Sequence, residues 1–95
     1  MNIFYLDKDP EIAAQMHCDK HVVKMILESA QMLSTAHRVL DGNEIGDSKG
    51  LYKIAHKNHP CSVWVRSSDE NYEWVWNLFD NLINEYMVRY GKHHA

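Results

Sequence analysis

The densest run of chemically competent residues is His17-Cys18-Asp19-Lys20-His21, followed by Lys24 and Glu28. On a helix His17 and His21 stand at i and i+4, and Lys24, Glu28, Gln31 and Thr35 continue the row at steps of three or four residues. Such a row can supply an acid, a base and a cation that holds an anion. His21 and Glu28 are the candidate acid and base, Lys24 the cation, and His17 and Gln31 the residues that contact a ligand. Two imidazoles one turn apart also suit a divalent metal once a third ligand joins them. The zinc-protease pattern H-E-x-x-H is not met, because Cys18 follows His17. A solvated face carrying His, Lys and Glu fits the row as well as chemistry does.

A second group, His56-Lys57-Asn58-His59-Pro60, lies where a loop meets a helix start, so its imidazoles, its ammonium and nearby backbone N–H groups can converge on an anion. If this loop folds back over the long helix, His56 and His59 meet His21, Lys24 and Glu28 as additional ligand-binding donors. A His from the loop would also complete a metal site with His17 and His21. His37 projects toward the apolar side of its helix and reads as a buried imidazole with one hydrogen-bond partner. Arg38 is expected to pair with Asp41 or another carboxylate, and Cys18 and Cys61 to be buried small hydrophobes. No cofactor is expected.

The elements that must position these residues follow from punctuation and periodicity. Asp9, Pro10 and Glu11 give an N-cap, a first helical position and an acidic first turn, so a helix starts at Pro10. No Pro or Gly interrupts residues 12–40, and Asp19 can cap a second helix, so the reading is a short helix near 10–17, a kink, and a long helix near 19–41 stopped by Gly42. Val22, Met25, Ile26, Ala30, Leu33, Ala36 and Leu40 form its apolar stripe. Residues 41–50 hold three of the four glycines and read as a loop. Residues 51–55 suit a helical turn, and Pro60 opens a short helix. Ser67 and Glu70 have capping-box spacing ahead of a last helix from about Asp69 to Tyr90, with Lys92, His93 and His94 near its negative end. Tyr72, Val75, Trp76, Phe79, Leu82, Ile83, Tyr86, Met87 and Tyr90 are its core stripe. Trp74 lies off that stripe, which suits packing against the N-terminal residues or a second protomer.

Residues 2–6 are β-branched and aromatic enough for a short strand, or an extended arm over the helices. The resulting expectation is one mostly all-α domain spanning residues 1–95: a helical bundle with a long central helix, an aromatic C-terminal helix antiparallel to it, and an N-terminal extended arm or strand. The 95 residues, 45% hydrophobic and 24% charged, exclude a disordered or low-complexity chain. A net charge of −3 gives no general attraction to phosphate polymers, so a nucleic-acid contact needs a local basic patch. Two cysteines without a CxxC pair point to a reducing compartment. The first six residues are too short for a signal peptide, and no stretch is long and apolar enough for a membrane span. The protein is therefore expected inside the cell, away from membranes.

Several segments together resemble a family of small proteins from marine and tailed bacteriophages. They are Asn2-Ile-Phe-Tyr-Leu-Asp7, the run from Ala13 to Glu28, the run from Gln31 to Arg38, His56-Lys-Asn-His-Pro60, Trp64, Asn71-Tyr72 and Arg89-Tyr-Gly-Lys92. The resemblance covers most of the chain. Some members carry the label pyrimidine-dimer DNA glycosylase, which implies work on DNA inside a host cell. It also implies attack by the α-amino group of a small residue exposed after Met removal, aided by a Glu. Here Asn2 follows Met1 and is large for that processing, so an amine would have to come from Lys20 or Lys24 beside His21. Relatives continue beyond the equivalent of Lys92, which makes a missing C-terminal part the expectation. The leading functional expectation is an enzyme or binding domain for a nucleotide or nucleic-acid phosphate. The alternatives are a non-catalytic homodimer built on Trp74 and the N-terminal strand, and a His-based metal-binding domain.

Overall fold

The computed structural model describes residues 2–91, so Lys92, His93 and His94 lie outside the described residues. Five helices and no strand occur within that range: α1 (Pro10–Met16), α2 (Asp19–Asp41), α3 (Asn43–Ser48), α4 (Pro60–Arg66) and α5 (Asp69–Tyr90). The fold is all-α. Twenty-three residues make α2 about 35 Å long. That matches the 36 Å longest dimension of the molecule; α3, α4 and α5 pack against α2, whereas α1 packs on α5.

Local chemistry sets the helix ends. The Asp9 carboxylate accepts the Glu11 N–H at 2.9 Å, and Pro10 occupies the first position of α1. His17 and Cys18 are extended, which breaks the chain between α1 and α2. Ser68 rather than Ser67 caps α5, accepting the Asn71 N–H at 3.1 Å. Gly91 ends α5 in the left-handed region, φ 66°, where a Cβ would be strained.

One core cluster joins Ala13 and Ala14 of α1 and Val22, Met25 and Ile26 of α2 to Leu78 and Leu82 of α5. The other joins Met32, Leu33 and Ala36 of α2 to Val65 of α4 and Val75 of α5. Because the start of α2 meets the later part of α5 and its end meets the earlier part, the two long helices run antiparallel. Fully buried Leu78 and Leu82 each contribute about 1.5–3 kcal/mol. The buried face of α5 is turned from the predicted stripe: Leu78 is inside, whereas Trp76, Met87 and Tyr90 are exposed. The cause is α1, which covers the flank of α5 that aromatic residues alone do not mark.

The buried arc of α2 is likewise wider than its apolar stripe. It takes in Glu28, Ser29, Ser34, Thr35 and Arg38, while Leu40 at the helix end is 66% exposed. Two irregular segments cause this. Residues 2–9 form an extended arm, not a strand, with Ile3 and Phe4 against the core. Residues 51–59, of which 51–55 were expected to form a helical turn, are irregular and cross α2 at Thr35, whose hydroxyl accepts the Ala55 N–H at 3.1 Å.

The glycine-bearing connector contains α3 instead of being wholly a loop, and Arg38 is the reason it is ordered. Its buried guanidinium donates to the Tyr52 carbonyl at 2.6 Å, the Leu51 carbonyl at 2.7 Å, the Asn43 carbonyl at 3.2 Å and Asp47 at 2.9 Å. Its partner is thus Asp47, not Asp41. Gly46 has to be glycine here, since a Cβ would sit 2.7 Å from Arg38 Cγ.

Candidate functional site

The predicted polar row does not lie on one helix: His17 sits in the extended break before α2, so it and His21 are not an i, i+4 helical pair, and the row divides further by burial. His17 is 2% exposed, Glu28 is 9% exposed and Thr35 is fully buried, while His21 and Gln31 are half-buried and Lys24 is exposed. A wholly solvated face therefore does not describe it. The cover is aromatic: the Phe4 ring stacks on His21 with centroids 4.5 Å apart and meets His17 edge-on at 5.7 Å.

His17 has the most informative geometry. Nδ1 lies 2.6 Å from the Ala13 carbonyl, which can only accept, so Nδ1 carries the proton and Nε2 presents a lone pair. That Nε2 is buried and has no hydrogen-bond partner. Burial lowers the His17 pKa, against the Ala13 carbonyl that raises it, and the charges of His21 and Arg89 lower it further. A neutral imidazole with an unused acceptor nitrogen is a base, or a hydrogen-bond acceptor for a ligand N–H or O–H.

The titration carries a stability consequence. Near pH 6 the unfolded chain binds more protons at residue 17 than the native state does, so stability rises with pH in that region. The contribution is complete above the ordinary pKa of 6.5 and is lost as pH falls from there toward the depressed native value. Urea titrations at pH 5.5 and 7.5 should show a smaller loss on acidification for His17→Gln than for the parent. An equal loss in both would assign the slope to another group.

The rest of the row holds a cation and a carboxylate side by side. Lys24 Nζ is 3.9 Å from Glu28 Oε2, beyond direct hydrogen-bond length, and the ammonium is exposed. His21 and Glu28 are two turns apart, about 10 Å along the axis.

The 51–59 loop does fold onto α2, but it crosses at Thr35, two turns beyond Glu28. His59 is used structurally: its Nδ1 accepts the Cys61 N–H at 3.1 Å and caps α4. His56 is exposed, in the left-handed region at φ 48°, with its carbonyl accepting the His59 N–H. The α2 row and the arm therefore share a covered strip, and the 51–59 loop meets α2 at its Thr35 end. Among the described residues no group of three or more His, Cys, Asp or Glu is arranged to hold a metal ion.

Arg89 closes the other end of the strip. It donates to the carbonyls of His17 at 2.8 Å and Gln15 at 3.0 Å, and pairs with Asp19 at 3.0 Å and Glu85 at 2.9 Å. Only Glu85, one turn back on α5, is a neighbour in sequence; the partners that tie it to the strip lie some 70 residues away.

His37 corrects its expectation as well. Its side chain is 36% exposed and has two partners: Nδ1 to Asp41 at 3.1 Å and Nε2 to the Tyr72 hydroxyl at 2.6 Å. The i, i+4 spacing of His37 and Asp41 was legible; the arrival of Tyr72 from α5 was not. Trp74 meets the arm as expected, stacked on Tyr5 at 4.4 Å with its indole N–H donated to the Lys8 carbonyl at 2.9 Å. Cys18 is exposed and Cys61 half-buried, so neither is a core residue.

No helix among the described residues is long and apolar enough to cross a membrane. Comparison with protein-family models, curated proteins and solved structures finds no match to this chain.

Proposed function

We propose that the strip on α2 binds a nucleotide or a nucleic-acid phosphate and carries the acid–base groups to act on it. The observation that carries this reading is the buried, unbonded Nε2 of a neutral His17. Leaving a polar atom buried without a partner costs about 1–3 kcal/mol, so such an atom in a native fold calls for an explanation. A ligand donor would satisfy that atom once Phe4 swings away, and the exposed Lys24 ammonium supplies the charge that a phosphate needs. Phe4 stacked on His21 shows the kind of flat surface on which a base can take the place of the ring. His21 and Glu28 then flank Lys24 as acid and base, with Gln31 as a further contact. His56 and His59 belong to the periphery of this reading. The setting would be the interior of a cell, a phage-infected host by the resemblance above.

The test is a titration with thymidine 5′-monophosphate and with a short single-stranded oligothymidylate, followed by the His17 and His21 ring resonances. Saturable shifts are expected, with Lys24→Ala weakening binding roughly tenfold while the unfolding midpoint stays unchanged, as befits loss of a charge-assisted contact on an exposed side chain. Absence of binding at millimolar ligand, or binding indifferent to Lys24, would sink the reading. A second reading, a non-catalytic self-associating protein, is favoured by the open apolar concavity of 360 Å³ lined by Ile3, Tyr5, Pro60, Cys61 and Trp64. Under that reading the histidine resonances stay unmoved by nucleotide.

A further inference from the structure

On the flank of α2 away from the strip, His37 and Tyr72 stand in the wall shared by two concavities, of 270 Å³ and 450 Å³. The smaller one is bounded by Leu33, Tyr52, Trp76 and Phe79 together with that pair. Large aromatic side chains are normally covered, yet Tyr52 is 50% and Trp76 48% exposed, and both border this space. Its volume approaches the lower end of the range for small-molecule pockets, and its make-up is theirs: flat apolar walls with a few fixed polar groups.

The polar groups have a defined direction. In the neutral imidazole, Asp41 accepts from His37 Nδ1–H, so His37 Nε2 is the acceptor and the Tyr72 hydroxyl donates its proton to it at 2.6 Å. With its single proton committed, the Tyr72 oxygen can only accept from anything that enters. We propose that this concavity binds a planar nitrogen heterocycle of nucleobase size, with the ring among Tyr52, Trp76 and Phe79 and a ring N–H donated to the Tyr72 oxygen. Burial and the Asp41 charge both raise the Tyr72 pKa, so the hydroxyl keeps its proton across the neutral range. This site requires no phosphate and uses none of the α2 strip residues, so it stands or falls separately from the function proposed above.

The probe is benzimidazole, a purine-shaped heterocycle with one N–H, compared with 1-methylbenzimidazole, in which that N–H is blocked. Binding is followed by the three indole N–H resonances, which report Trp64, Trp74 and Trp76 individually. Benzimidazole should shift the Trp76 signal saturably, and the methylated probe should bind roughly threefold to tenfold more weakly, the range set by one hydrogen bond. Tyr72→Phe keeps the ring and should erase the difference between the probes; a difference that persists would be steric, and the assigned hydrogen bond would be wrong. His17→Gln and Lys24→Ala should leave all of this unchanged. No Trp76 shift at several millimolar of either probe, in a protein whose helical circular dichroism is intact, overturns the proposal.

Discussion

Replacing Arg38 with Met should lower the unfolding free energy by about 3 kcal/mol and release residues 43–52 from α2. A 95-residue domain has only about 5–14 kcal/mol in total, so this one side chain governs whether the connector is ordered at ordinary temperature. The Asp47 ion pair is not the main cause, because that carboxylate is exposed and its attraction is screened. The larger loss comes from the carbonyls of Leu51 and Tyr52, which would have to find water or leave the surface of α2. Asp47→Asn should therefore cost under about 1 kcal/mol. Urea unfolding gives both values, and amide exchange over residues 43–52 separates local release from global loss. If Asp47→Asn proves as damaging as Arg38→Met, the ion pair and not the carbonyl clamp holds the segment. The heterocycle site proposed above would be lost with the clamp, since Tyr52 forms one of its walls.

Arg38 also shows what the sequence could disclose. Helix starts at Pro10 and Pro60, the break before Asp19 and the stop at Gly91 were legible, because capping depends on neighbours within four residues. The all-α class followed from the same local rules. Arg38, by contrast, read only as an ion-pair partner for Asp41 or another carboxylate; Asp47 fills that place, but only the return of residues 51–52 over α2 makes the side chain a buried clamp. The polar row was found by spacing, yet the covering of His17 and His21 depends on where Phe4 settles. Spacing along one helix says which side chains share a face; it cannot say what covers that face. The same limit hid the Asp41–His37–Tyr72 relay, half of which is an i, i+4 pair and half a contact across 35 residues.

Arg89→Met is the change expected to act on the fold and the candidate site together. At the α1–α2 break the guanidinium fills the role of a C-terminal cap, taking the carbonyls of Gln15 and His17 that α1 leaves without N–H partners. Its mostly covered side chain also holds Glu85 and Asp19, so removal should cost roughly 2–3 kcal/mol, the range for charge-assisted bonds. Arg89→Lys keeps the charge but not the planar fork, and should recover only part of that loss. The site offers a second readout. Burial is the main reason the His17 pKa lies below its ordinary value, and the Arg89 charge adds to it, so Arg89→Met should move the His17 titration upward while Arg89→Lys leaves it nearly in place. Nuclear magnetic resonance of the His17 ring measures this directly. An unchanged His17 titration in a destabilised Arg89→Met protein would make Arg89 a structural cap alone. An upward shift in step with weaker nucleotide binding would tie the break between α1 and α2 to the chemistry of the strip, because the arginine that closes the fold would also add to the burial that lowers the His17 pKa.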